Sequence, residues 1–176
     1  NPLYEDKELA LFKTHYYGGI KRYQWTTIPL ALHGVIVRKD GTSVTVNVGE
    51  DENDPVFCVS DLLPHLAKEQ MDRKLGDGIR GEELNILIGS APFRDDAVSE
   101  KVKLNIANIL FEKYEITEQD FQSAELTMVP AGKARDVGFD RSLIGAYGHD
   151  DRVCAYGELT GILAADPEYT AVACFA

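Results

Sequence analysis

The sequence contains no long apolar run, no CxxC pair and comparatively few positive charges. No stretch approaches the roughly 18 consecutive apolar residues that a membrane-spanning helix needs. Lysine and arginine together number 18, against 29 aspartate and glutamate residues, and the net charge is −11. Nucleic acids and anionic membranes carry negative charge themselves, so this balance argues against either as a partner.

Cysteine is also scarce, with only Cys58, Cys154 and Cys174 in the chain. An odd number of cysteines without framework spacing predicts buried free thiols, and it indicates a reducing, cytoplasmic compartment. Hydrophobic residues make up 44% of the 176 residues. That proportion and length suit a protein with a real core, organised as one domain or slightly more.

The segment that carries the most chemistry is residues 147–154, YGHDDRVC. Residues 129–132 before it suggest the end of a strand, and residues 153–165 after it suggest a helix. Adjacent carboxylates at a strand-to-helix turn suit a divalent metal, because hard oxygen ligands can converge there. Aspartate at a helix start is also commonly a cap that accepts backbone N–H bonds. From the residues alone, both interpretations of Asp150 and Asp151 stay open.

The first third of the chain has the pattern of β-structure. Residues 32–38 and 43–48 are apolar, β-branched runs separated by residues 39–42, KDGT. Asp-Gly between such runs predicts a hairpin, because glycine accepts the positive φ of a tight turn. The acidic residues 50–54 that follow predict a solvated loop before Pro55.

The middle of the chain mixes helices and strands. Ser60 is positioned to cap a helix from Asp61 to about Leu75, with Pro64 and His65 in its first turn. Alone, His65 is expected to be a surface or packed histidine. Further helix and strand patterns are found at residues 84–89 (strand), 97–115 (helix) and 121–129 (strand).

The charged segment at residues 131–141 also has two open interpretations. It is either a solvated loop or a loop that lines a functional site or a subunit contact.

Several blocks together resemble the aminopeptidase I / aspartyl aminopeptidase family of zinc metallopeptidases. They are YYGGI at 16–20, Trp25, LALHG at 30–34, LPHLA at 63–67, AGKARDVG at 131–138 and GAYGHDDRVCAY at 145–156. The blocks follow the family order and span nearly the whole chain.

The resemblance implies a cytosolic aminopeptidase that uses two zinc ions to remove N-terminal residues from peptides. Asp150 is then the metal ligand that bridges the two ions, and Asp151 supports it or caps the helix. The resemblance further predicts a cis peptide bond between Asp150 and Asp151. It also places His65 at the active site of a neighbouring subunit, where it contacts substrate or serves as a metal ligand.

The expected fold class is α+β. Residues 1–130 would form an inserted, β-rich, barrel-like oligomerisation domain with helices, which the family uses to assemble dodecamers. Residues 131–176 would form a partial α/β catalytic segment. The chain starts at Asn1 and stops inside a strand-like apolar run at residues 170–176, so we expect a fragment of a longer enzyme.

One metal ligand cannot hold zinc against water, since catalytic sites normally supply about three protein ligands. The fragment alone is therefore expected to be inactive. The alternative from another functional class is a non-catalytic assembly or interaction module, supported by the β-rich body and by apolar segments without partners.

Overall fold

The computed structural model describes residues 2–95 and 97–175. The strands are β1 (Leu3–Asp6), β2 (Leu9–Phe12), β3 (Leu30–Val37), β4 (Ser43–Val48), β5 (Cys58–Val59), β6 (Ile86–Gly89), β7 (Ala124–Pro130), β8 (Arg135–Val137) and β9 (Leu143–Gly145). The α-helices are α1 (Lys68–Met71), α2 (Lys101–Tyr114) and α3 (His149–Ala164), and short 3-10 turns cover Arg22–Trp25, Leu75–Asp77, Gly81–Glu83 and Asp120–Ser123. The predicted mixture of helix and sheet is confirmed.

The chain divides into two compact units, Asn1–Ala131 and Gly132–Ala176. The first unit contains β1 to β7 with α1 and α2, and the second contains β8, β9 and α3. The division lies one residue from the junction expected after residue 130, while the roles expected for the two parts stay predictions. Across the described ranges, none of the helices combines the length and apolar character of a transmembrane span.

Two open antiparallel sheets form the first unit. One has the strand order β1-β2-β6-β5 and the other has the order β4-β3-β7. Backbone pairing of Leu30 with Phe57, and of Thr26 with Val59, joins the two sheets. Leu30, Ile36 and Val59 are the largest fully buried side chains, so the core lies where the sheets meet.

The hairpin predicted around Asp40-Gly41 is confirmed, because β3 and β4 pair in register from Leu32–Val48 to Val37–Ser43. Alternate positions of β4 face inward as a period of two requires, with Val46 and Val48 buried and Val44 half-buried. The hairpin thereby supplies one wall of the core.

Helix α2 packs on β1, β2 and β6. Val102 is its buried residue, and Ile106 and Leu110 are partly buried against the core. The predicted helix at residues 97–115 is confirmed but starts later, because Glu100 adopts left-handed backbone angles just before the first turn. Phe12 and Phe121 meet edge to face below the helix, with ring centroids 5.8 Å apart.

The helix predicted from Asp61 to Leu75 is wrong. Only Lys68–Met71 is α-helical, and residues 61–67 have no regular secondary structure apart from a turn at residues 64–66. In a helix capped by Ser60, Pro64 would be the fourth helical residue. Its ring would then clash with the Ser60 carbonyl, four residues earlier, and it has no N–H to donate to that carbonyl. The residue before a proline also avoids helical angles, so Leu63 resists the same conformation.

Two other expectations are also wrong. Residues 170–175 adopt no regular secondary structure, since a strand needs a hydrogen-bonded neighbour and no described segment pairs with them; Ala176 lies outside the described residues. The three thiols are free but not all buried: Cys58 is half-buried, and Cys154 and Cys174 are exposed.

Candidate metal centre

The second unit begins with a hairpin that leads directly to the acidic motif. Strands β8 and β9 pair from Arg135–Gly145 to Val137–Leu143. Gly138 has a φ of +89°, and its carbonyl accepts a hydrogen bond from the Arg141 backbone at 3.1 Å. This geometry closes a tight turn that glycine favours.

Asp140 holds the turn together. Its Oδ1 accepts hydrogen bonds from the Ser142 backbone N–H at 3.2 Å and from the Ser142 hydroxyl at 3.0 Å. These two bonds stabilise the carboxylate and lower the pKa of Asp140. The tip of the hairpin is therefore ordered by local contacts of its own.

The acidic motif begins where the chain leaves the hairpin through Gly148, which has a φ of +90°. Asp150 lies inside the span of α3 but has non-helical angles, with φ −90° and ψ 112°. Regular helix therefore starts at Asp151, two residues before the predicted start. The predicted cis peptide bond between Asp150 and Asp151 is confirmed.

His149, Asp151 and Cys154, which lie close to Asp150 in sequence, have local partners. His149 Nε2 donates to the Ile144 carbonyl oxygen at 3.1 Å. The Cys154 thiol donates to the Asp151 carboxylate, and this bond raises the pKa of Cys154. Each of these side chains thus has a local structural partner.

Asp150 is the exception. Its carboxylate forms no hydrogen bond or ion pair with any residue in the described ranges, and the residue is exposed. The N-cap position of α3 is Gly148, without a side-chain capping bond. The helix-cap interpretation is therefore not supported for Asp150, and both of its oxygens remain available.

These donors fit part of a zinc site. A carboxylate with two available oxygens can ligate one zinc ion or two neighbouring ions. Within residues 2–95 and 97–175, however, no group of three or more His, Cys, Asp or Glu side chains could hold a metal ion. The described residues therefore do not form a complete zinc site, and the role of Asp150 as a ligand stays a prediction.

His65 belongs to the first unit, in the turn at residues 64–66. The imidazole is exposed, and three exposed leucines flank it: Leu62 (54%), Leu63 (53%) and Leu66 (68%). No described contact fixes the role of His65.

The β8–β9 hairpin is the feature that sequence reasoning did not find. Its first strand and its tip lie within residues 131–141, where a loop was expected. The local signal present was Gly138 at the tip, followed by the apolar pair Leu143 and Ile144, while Arg135 and Asp136 gave no strand signal.

The comparisons with known proteins cover almost all of the chain. The family model described as aminopeptidase I zinc metalloprotease (M18) matches residues 1–175. A probable M18 family aminopeptidase 1 of Clostridium acetobutylicum is 64% identical over 163 residues, which is 93% of this chain and 35% of that protein.

Solved structures show the same similarity. The crystal structure of the M18-family aminopeptidase of Thermotoga maritima matches with a TM-score of 0.88 and 53% identity, over 96% of this chain and 37% of that one. Aminopeptidase I of Borrelia burgdorferi B31 matches with a TM-score of 0.77 and 44% identity, over 94% of this chain and 36% of that one. The chain thus spans little more than a third of the relatives that it matches.

Proposed function

The chain belongs to the aminopeptidase I zinc metalloprotease family, M18, and on that premise we propose that it is part of a two-zinc aminopeptidase that releases N-terminal residues from peptides. Asp150 would hold the metal, as the bridging ligand of the two ions. The observation that carries the proposal is its available carboxylate, between His149 and Asp151, whose side chains both have local partners.

Zinc bound at such a site would supply a Lewis acid and an activated water for attack on the first peptide bond. What this chain contributes is the position of one carboxylate. The non-helical backbone at Asp150 turns its side chain out of the helical repeat, ahead of the first regular turn of α3. Asp151 and His149 support that position through their contacts with Cys154 and Ile144.

His65 works at the active site of a neighbouring subunit, where it contacts the substrate or a metal ion. Its exposure and its three exposed leucine neighbours support this proposal, because such a turn is suited to burial against a second copy. Imidazole can donate a hydrogen bond to a peptide or ligate zinc, so both roles stay open.

The wider setting follows from the same proposal. Residues 1–130 form an inserted, barrel-like oligomerisation domain of a dodecameric, cytoplasmic enzyme. Residues 131–176 belong to its catalytic domain. With Asp150 as its single ligand, the 176-residue chain alone neither retains zinc tightly nor cleaves peptides.

A second candidate function is a non-catalytic assembly module. The exposed leucines around His65 favour it, since they need a partner whether or not catalysis occurs. Activity of the full-length gene product decides between the two functions.

The test mixes two inactive variants of the full-length gene product. Asp150→Ala should lose bound zinc and activity, and His65→Ala should lose most activity. If His65 acts in a neighbouring subunit, oligomers reassembled from both variants contain sites with one intact copy of each residue, so part of the activity returns. His15→Ala, at another exposed histidine, is the control and should keep full activity.

Four results would contradict parts of the proposal. Full activity in Asp150→Ala would remove the bridging role, and full activity in His65→Ala would remove the role of the histidine. Failure of mixed oligomers to regain activity, when both variants assemble normally, would mean that His65 acts within its own subunit. Turnover of an aminoacyl arylamide by the 176-residue chain would contradict its inactivity.

A further inference from the structure

The β8–β9 hairpin carries a groove whose lining differs from the rest of this acidic chain. Its volume is about 750 Å³, within the roughly 300–1,000 Å³ typical of ligand sites. The lining residues share the hairpin and its tip: Ala134, Arg135, Asp136, Gly138, Phe139, Arg141 and Ile144. Two arginines and an exposed aromatic ring thus face one open groove.

The arginines are available to a ligand. Arg135 is exposed and forms no ion pair or side-chain hydrogen bond with the described residues. Among the described residues, the Arg141 side chain pairs only with the Asp136 carboxylate, at 3.5 Å, and remains 78% exposed. A guanidinium matches a carboxylate through two parallel hydrogen bonds, so this pair favours carboxylate ligands.

Phe139 adds an apolar contact at the tip. The ring is fully exposed, while Asp140 and Gly138 hold the surrounding turn through hydrogen bonds of their own. A phenylalanine presented on an ordered turn loses little conformational freedom on binding, which is the property of an anchoring side chain.

The groove also lies within reach of Asp150. Arg135 pairs with Gly145, and Asp150 follows Gly145 by five residues. Five residues span at most about 17 Å, and paired strands lie about 5 Å apart. Arg135 is therefore within about 22 Å of Asp150, the length of six to seven extended residues at about 3.3 Å each.

We propose that this groove is a binding site for an acidic peptide segment, with Arg135 and Arg141 contacting its carboxylates and Phe139 packing on a neighbouring side chain. The carboxylate preference follows from the groove itself. The identification of this ligand as the downstream part of a substrate peptide rests on the proposed function. Peptides with aspartate or glutamate several residues beyond the cleaved bond are then the favoured substrates.

The test is a titration of the 176-residue chain with a seven-residue peptide that carries glutamate at positions five and six, compared with the same peptide carrying glutamine. Backbone amide signals of residues 134–144 should shift with the acidic peptide. Loss of charge-assisted bonds should weaken binding of the glutamine peptide at least about tenfold.

Arg135→Ala/Arg141→Ala should weaken binding of the acidic peptide to a similar extent, and Arg135→Lys/Arg141→Lys should restore part of it. Lys13→Ala/Lys21→Ala removes two exposed positive charges from the first unit and should leave binding within about twofold, since only long-range attraction changes. Because binding needs no zinc, Asp150→Ala should bind the peptide like the wild type.

Equal binding of both peptides, shifts confined to other residues, or unchanged binding in the double arginine variant would overturn the inference. So would chain-to-chain association in place of peptide binding. Normal peptide binding by the 176-residue chain, together with zinc retained by Asp150→Ala of the full-length gene product, would instead contradict the proposed function and leave the groove site intact. The two proposals therefore fail in different ways.

Discussion

The Glu5 carboxylate lies 2.9 Å from the backbone nitrogen of Val102, on an element 97 residues away in sequence. The same oxygen, Oε2, accepts a second hydrogen bond from the Lys103 N–H at 2.9 Å. A carboxylate from β1 thus occupies the N-terminus of α2, where the helix dipole favours negative charge.

We predict that Glu5→Ala lowers the free energy of unfolding by about 1–2 kcal/mol, because two N–H groups lose a charged acceptor. Urea denaturation should show a lower midpoint with an unchanged slope. Glu82→Ala removes an exposed carboxylate and should leave the midpoint nearly unchanged. Equal midpoints for Glu5→Ala and the wild type would show that this contact does not contribute to stability.

A second carboxylate makes stability depend on pH. Asp120 is 7% exposed and accepts hydrogen bonds from the Thr117 backbone N–H at 2.7 Å and from the Thr117 hydroxyl at 2.8 Å. These bonds lower the pKa of Asp120 below its ordinary value. At mildly acidic pH the unfolded chain therefore binds more protons than the folded chain at this position.

The stability that Asp120 contributes is accordingly present above about pH 4, the ordinary pKa of aspartate, and is lost as the pH falls through the lower folded value. We predict that Asp120→Asn flattens the fall of the unfolding free energy below about pH 4. Asp72→Asn, at an exposed aspartate, should keep the wild-type profile. Identical profiles for Asp120→Asn and the wild type would contradict this account.

A third prediction concerns Gly34 in the middle of β3. It has a φ of +153°, and a Cβ there would overlap the backbone carbonyl of Glu125 on β7. Gly41 has a φ of +85° in the hairpin turn and open space around it. Gly41→Ala should therefore lower the free energy of unfolding by only about 1 kcal/mol, the cost of placing an alanine at a positive φ.

Gly34→Ala should lower the free energy of unfolding by about 1–3 kcal/mol more than Gly41→Ala does, because β3 and β7 must also separate to admit the methyl group. Thermal unfolding of the two variants beside the wild type measures the difference. A Gly34→Ala variant as stable as Gly41→Ala would show that the sheet absorbs the extra methyl group.

Local patterns predicted the elements that local chemistry decides. Asp40-Gly41 between β-branched runs predicted the β3–β4 hairpin correctly. Both signals, the turn residues and the alternation of apolar residues along the strands, are local in the sequence. The start of α2 was missed because Glu5, far away in sequence, supplies the acceptor at its N-terminus. No local pattern could place Gly34 against Glu125, since that contact depends on the pairing of β3 with β7.

The candidate site, like the fold, was predicted only in part from the sequence. The family resemblance predicted the cis bond between Asp150 and Asp151, which is confirmed, while the role of Asp150 as a metal ligand stays a prediction. The arginine-lined groove was missed because it requires β8 and β9 to pair and the tip to turn at Gly138. Which charged side chains find partners is a property of the folded chain, and sequence spacing does not determine it.

The most direct test of the central claim is the zinc content of the full-length gene product, measured for the wild type, Asp150→Asn and Asp151→Asn. The two variants make the same chemical change at adjacent positions. The account predicts that Asp150→Asn loses most of its zinc, while Asp151→Asn, whose side chain bonds to Cys154, retains it. Zinc retained in Asp150→Asn, or lost equally from both variants, would contradict the assignment of Asp150 as the bridging ligand.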